Sequence, residues 1–241
     1  GFCSGDALMN TAMALQTEDQ LALIIAAAGS SQRFGQGNKL LQDLRGLPVF
    51  CHTVRNFLSA ISPGACLLIT PAAEQSTFAQ QLQAHLPALS ARVQCLPGGA
   101  TRAASVLAGL QAVPESCEYI AIQDAARPFS SAELLLRCLA SARQYGSGVA
   151  AHRLTDTVKV VQGDHLVSHT LDRRQLWGTE TPQVFSRALL LQAYRAAAAQ
   201  DLGATDEAQL LENSGQPVHL VENTCPNPKI TLAGDLKFYN Y

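Results

Sequence analysis

From Leu21 onward the chain alternates short apolar runs with longer stretches whose apolar residues recur at helical spacing. An apolar run of about four to eight residues suits a strand buried on both faces, and the amphipathic stretches suit helices that cover it. The pattern predicts strands over residues 21–27, 66–70, 93–96, 119–123 and 148–153, and helices over 49–60, 75–86, 101–113 and 131–145. Such alternation builds βαβ units, so the expected class is α/β: a Rossmann-like, mainly parallel sheet flanked by helices. After Arg153 the rhythm changes. TVKVV and HLVSHT flank Gln162-Gly163-Asp164, whose Gly-Asp pair suits a tight hairpin turn, and residues 154–175 are expected to form an antiparallel β-arm. Further helices are expected over 186–200, around 206–213 and from Ala233, with a strand near 218–221.

Residues 1–20 fit neither a basic leader nor a periodic element. They read as an N-terminal extension outside the fold, disordered or left over from processing or cloning, with Met13 a candidate start. No repeat or low-complexity linker divides the rest, so residues 21–241 read as one domain.

Composition narrows the function classes. Nearly half of the 241 residues are apolar, 47%, against 15% charged, which is a globular balance. A net charge of −2 argues against a protein that coats nucleic acid. The seven cysteines contain no CxxC pair and the six histidines show no metal-ligand spacing, so a structural zinc site is not expected. Most cysteines stand in apolar runs and read as small buried hydrophobes in a reducing compartment. No apolar stretch approaches the length of a membrane span, and the expected location is the cytoplasm.

The candidate chemistry begins where the first strand ends. LALIIAAAGSSQRFGQGNKLL carries an apolar strand directly into a loop rich in Gly and Ser, with Arg33 and Lys39 as fixed positive charges. Small residues let backbone N–H groups approach anionic oxygens, and open α/β sheets bind ligands at the carboxyl ends of their strands. The loop therefore reads as a polyphosphate site. It lacks the GK[ST] ending of a Walker loop and the glycine spacing of a dinucleotide fingerprint.

AAAGSSQRFG followed by NKLL resembles the phosphate loop of sugar-nucleotide pyrophosphorylases and cytidylyltransferases. PGGATRAASVLAGL, IQDAARPF, TDTVK, HTLDRRQLW, TPQVF, ATDEA and NPKIT then follow in the order seen in 2-C-methyl-D-erythritol 4-phosphate cytidylyltransferases, and the resemblance runs from Leu21 to the C-terminus. It implies CTP and a polyol phosphate as substrates, Mg²⁺ (or another divalent cation) bound with the triphosphate through ligands the sequence leaves unnamed, and a homodimer joined through the arms.

The resemblance also implies roles. Arg33 and Lys39 hold the triphosphate, while Ala27, Ala28, Gly29, Gly98, Gly99, Arg102 and Ser105 form the nucleotide side. Asp124, Arg127, Asp156, Thr157, Arg173 and Lys229 surround the acceptor, with Arg33, Lys39, Arg173 and Lys229 the catalytic cations. Ala100, Ala104, Gln123 and the Asn227-Pro228 pair depart from the usual family pattern. From the residues alone, Asp124 and Arg127 also read as a structural ion pair, and Thr205-Asp206-Glu207 reads as a helix cap outside catalysis. A cytidylyltransferase for another polyol phosphate, such as ribitol 5-phosphate, and a non-enzymatic nucleotide-binding module on the same scaffold remain open.

Overall fold

The computed structural model describes residues 16–29, 37–200 and 204–240. In chain order the elements are β1 (Gln16–Ala26), β2 (Asp43–Leu44), β3 (Leu47–Pro48), α1 (Val49–Leu58), β4 (Ile61–Thr70), α2 (Gln75–His85), α3 (Pro87–Ser90), β5 (Gln94–Pro97), α4 (Arg102–Ala112) and β6 (Tyr119–Asp124). There follow α5 (Ala132–Tyr145), β7 (Ser147–Arg153), β8 (Lys159–Val161), β9 (Val167–Thr170), β10 (Trp177–Ser186), α6 (Arg187–Gln200), α7 (Glu207–Asn213), β11 (Leu220–Glu222) and α8 (Ala233–Asn240).

Seven strands make one sheet in the order β11-β7-β10-β6-β1-β4-β5. The β6-β1-β4-β5 half is parallel throughout, and β10 runs antiparallel to both β6 and β7. Period-two alternation along β1 explains why this strand is central: Leu21, Leu23 and Ile25 enter the core on one face, and Ala22 and Ile24 enter it on the other. The first face is covered by α1, α2, α5 and α8, through residues such as Phe50, Phe78, Leu135 and Leu236. The second is covered by α4, α6 and α7, through Val106, Leu190 and Leu211. Helix ends follow local chemistry: Ser131 caps α5 by accepting from the Leu134 N–H, and Gly146 closes it at φ 84°. No helix of the described residues is long and apolar enough to cross a membrane.

Two expectations are corrected and one strand is added. The first strand begins at Gln16, not Leu21: residues 16–18 pair with 61–63 before a bulge, and the buried Glu18 carboxylate meets Arg143 at 2.6 Å. That stretch is polar because it lies at the sheet's amino end, so apolar periodicity could not reveal it. The strand β10 is absent from the apolar pattern because Gly178, Thr179, Glu180 and Pro182 interrupt it. Proline has no N–H for a ladder, and the register slips between Thr179 and Gln183 to accommodate it. In the arm, β8 and β9 pair as expected, but the turn is centred on Asp164 and His165, both at positive φ, one residue beyond the Gly-Asp pair.

Of the cysteines, Cys51, Cys66, Cys117 and Cys138 are buried and Cys95 is half-buried, whereas Cys225 is exposed.

Candidate active site

The carboxyl ends of β1, β5 and β6 open onto a cleft of about 350 Å³ lined by Ala26, Ala28, Gly29, Lys39, Arg102, Asp124, Lys229 and neighbouring residues. Three loops build its walls. Residues 30–36, and Arg33 with them, lie outside the described residues. The end of the first loop is fixed by Asn38, which sequence reasoning passed over. Its side-chain oxygen accepts from the Leu40 N–H at 3.0 Å and its amide donates to Glu74 at 2.5 Å, which sets the turn that carries Lys39 into the cleft.

The second wall follows β5. A Cβ on Gly98 would stand 2.6 Å from the Ala28 Cβ and 2.7 Å from the Ser105 Oγ, so the two loops touch only because this residue has no side chain. Ser105 is buried; its hydroxyl donates to the Thr101 carbonyl at 2.8 Å and accepts from the Gly99 N–H at 3.1 Å. It therefore shapes the Gly98-Gly99 backbone from beneath. Thr101 caps α4 by accepting from the Ala104 N–H.

Asp124, at the end of β6, is the centre of the site. Its Oδ2 receives the Lys229 ammonium at 2.7 Å, its Oδ1 faces the Arg102 Nε at 3.4 Å, and Arg127 lies at 3.8 Å. Burial would raise this carboxyl, but Lys229 and Arg102 outweigh burial and hold it below its ordinary value. Arg127 donates to the Asn227 carbonyl at 2.6 Å, so it braces the segment that carries Lys229. The same segment is tied to β10 by Glu180, whose Oε2 accepts from Asn223 and Asn227 at 2.9 Å each. Asn227 thus has a structural use.

Arg102 lines the cleft and is held there from behind. It forks onto both oxygens of Glu207, at 2.9 and 2.8 Å. Burial opposes its charge, yet Glu207 and Asp124 raise its pKa above the ordinary arginine value. Asp206 caps α7, accepting from the Gln209 N–H at 2.9 Å, as its sequence context predicts. Glu207 beside it is buried and linked to the site, which the capping signature concealed.

The fold thus brings Lys39, Gly29, Arg102, Asp124 and Lys229 to one cleft, with Arg127 beside them. Asp156, Thr157 and Arg173 stand apart on the exposed arm, where Arg173 donates to the Thr155 carbonyl. Among the described residues no group of three or more His, Cys, Asp or Glu side chains could hold a metal ion by itself. One carboxylate, Asp124, lining the same cleft as Gly29 and Lys39 nevertheless fits Mg²⁺, which takes most of its ligands from phosphates and water.

Comparison with known proteins decides the family. The profile of the family described as "IspD: 2-C-methyl-D-erythritol 4-phosphate cytidylyltransferase" matches residues 21–240. The chain belongs to this family. A 2-C-methyl-D-erythritol 4-phosphate cytidylyltransferase of Microcystis aeruginosa is 37% identical over 222 residues, covering 91% of this chain and 96% of the relative. A bifunctional enzyme IspD/IspF of Desulfotalea psychrophila is 38% identical over 219 residues; these cover 89% of this chain and 54% of that longer protein, so the chain spans about half of it. The crystal structure of the Thermus thermophilus cytidylyltransferase superposes with a TM-score of 0.75 at 29% identity, over 92% of this chain and 97% of that one.

Proposed function

We propose that this chain transfers CMP from CTP to 2-C-methyl-D-erythritol 4-phosphate, giving 4-diphosphocytidyl-2-C-methyl-D-erythritol and pyrophosphate, a step in non-mevalonate isoprenoid precursor synthesis. The observation that carries this reading is that Lys39 and Lys229, from opposite ends of the chain, line one cleft beside Asp124. A phosphate monoester is already ionised near neutral pH, so it needs no strong base to attack. It needs relief from repulsion and alignment with the α-phosphorus. An oxygen of the acceptor phosphate bonds to that phosphorus as its bond to the bridging oxygen breaks, and the bridging oxygen leaves with pyrophosphate.

Arg33 and Lys39 take the triphosphate, with the Gly98-Gly99 backbone, Ala27, Ala28 and Gly29 against the nucleoside and Ser105 supporting that backbone. Asp124 and Lys229 orient the acceptor, and Arg127 fixes the loop that delivers Lys229. Mg²⁺ would be held by triphosphate oxygens and water, with Asp124 the nearest carboxylate, and would neutralise charge on the leaving group. Asp156, Thr157 and Arg173 are supplied by the arm of a second copy, since they stand away from their own chain's cleft; this makes the working unit a homodimer. Polyanionic substrates support a cytoplasmic location.

Pyrophosphate release, measured across the four nucleoside triphosphates with methylerythritol phosphate and with ribitol 5-phosphate, tests the assignment. CTP with methylerythritol phosphate should give the highest kcat/KM. A preference for ribitol 5-phosphate would replace the acceptor, and no release with any pair would leave a nucleotide-binding module. Mixing inactive Lys39→Ala and Arg173→Ala variants should restore activity as subunits exchange; no recovery after proven exchange would place Arg173 in its own chain's site.

A further inference from the structure

Glu207 is the most deeply buried ion-paired carboxylate in the described residues, with a side chain 1% exposed, and it reaches the cleft through Arg102, which lines it. A buried charge must be paired and hydrogen-bonded to be tolerated, and the pairing here is complete. Arg102 forks onto both its oxygens, and the Tyr194 hydroxyl donates to Oε1 at 3.1 Å. The same guanidinium, through Nε, reaches the oxygen of Asp124 opposite the one that holds Lys229. The four groups therefore form a row: Glu207, Arg102, Asp124, Lys229. They come from α7, the first turn of α4, the end of β6 and the segment before α8.

A guanidinium prefers a two-pronged grip on a carboxylate. Two carboxylates compete for Arg102, and Glu207 has the fork while Asp124 has only the longer Nε contact. Freed from Glu207, Arg102 would take the fork on Asp124 and displace Lys229 from Oδ2. We infer that Glu207 is a positioning residue, clamping Arg102 away from Asp124 so that Asp124 keeps one oxygen for Lys229. The inference rests on the acceptor-side role proposed above for Asp124 and Lys229.

The clamp makes a prediction that a merely structural ion pair does not. Glu207→Gln, which keeps size and the Tyr194 hydrogen bond, should raise the KM for the acceptor about tenfold, the worth of one charge-assisted hydrogen bond, while the KM for CTP stays within about twofold. Adding Arg102→Gln removes the competitor and should bring the acceptor KM back toward wild type, a non-additive recovery. If Glu207→Gln does not fold, Glu207→Asp reads the same quantity, because its shorter carboxylate keeps the charge but cannot hold the fork; its acceptor KM should rise by a smaller factor. An unchanged acceptor KM, an equal rise in both KM values, or a double variant worse than either single one would overturn the clamp. Lys229→Ala in the same assay separates the two levels. A wild-type acceptor KM and turnover there would remove the acceptor-side reading and the clamp with it. A raised KM there, beside an unaffected Glu207→Gln, would remove the clamp alone.

Discussion

Lys229 and Asp124 stand 105 positions apart in the chain and 2.7 Å apart in the fold. Their pairing shows what individual residues contribute here: a lysine that lines the cleft is held in place by a buried carboxylate whose pKa that lysine helps to keep below its ordinary value. Lys39 lines the cleft from the other wall, placed by the Asn38 turn. Replacing Lys39 with alanine should lower turnover by about 10²–10³-fold, as loss of one charge-stabilising donor does elsewhere. Its melting temperature should move by less than about 2 °C, because a side chain in an open cleft contributes little to folding. Pyrophosphate release and a thermal melt on the same preparation check both halves, and near-wild-type turnover would remove Lys39 from the reaction.

At the scale of elements, α7 has two tasks that its sequence merges. Asp206 closes the helix start by accepting from the Gln209 N–H, and its second oxygen accepts from the Gln183 side chain of β10 at 2.9 Å. Asp206→Ala should therefore cost about 1 kcal/mol for the cap, and somewhat more with the Gln183 amide left unpaired. Urea titration measures this, and a cost below about 0.3 kcal/mol would mean that the cap is not formed. Helices α4, α5 and α7 were legible because their starts carry local signatures: Thr101, Ser131 and Asp206 each stand before an amphipathic run. The strand β10 was not, because it runs antiparallel to both of its neighbours and carries a proline, and what makes it a strand is those neighbours.

At the scale of the whole molecule, burial sets the behaviour of titratable groups. Cys51, Cys66 and Cys138 have thiols pushed up to about 12 by burial, whereas Cys225 is exposed. At about pH 8 a thiol reagent should modify Cys225 quickly in the native protein, and Cys225→Ser should remove one fast equivalent; Cys51, Cys66 and Cys138 should react only after unfolding. Rapid native modification of those three would contradict the packed core. Acid sensitivity follows from Asp124. Its folded pKa lies below the ordinary 3.8, because Lys229 and Arg102 outweigh a burial that would raise it. Its contribution to stability is thus fully present above 3.8 and is lost as pH falls through the lower folded value. Glu207 has the opposite sign: burial raises its carboxyl above 4.5 and Arg102 recovers only part, so its contribution is present below 4.5 and declines as pH rises. The stability difference between wild type and Asp124→Asn, measured by urea titration from about pH 6 to pH 2, should narrow once pH drops below 3.8. A constant difference across that range would mean that Asp124 is not ionised in the folded protein.

The sequence by itself determined the α/β class, most helix and strand positions, the Gly- and Ser-rich loop and the motifs that resemble a cytidylyltransferase. These are local: a strand's apolar run, a cap three residues from the N–H it satisfies, a loop without side chains. Only the tertiary structure decided which charges meet. Arg102 lines the cleft and is gripped there by Glu207, a partner that its sequence context does not name; Glu207 was read as part of a cap and is buried. Ser105 was placed against the nucleotide and lies under the glycine loop. Which partner a cation finds depends on what the sheet order brings beside it, and a pairing such as Lys229 with Asp124 has no trace in the spacing of either residue.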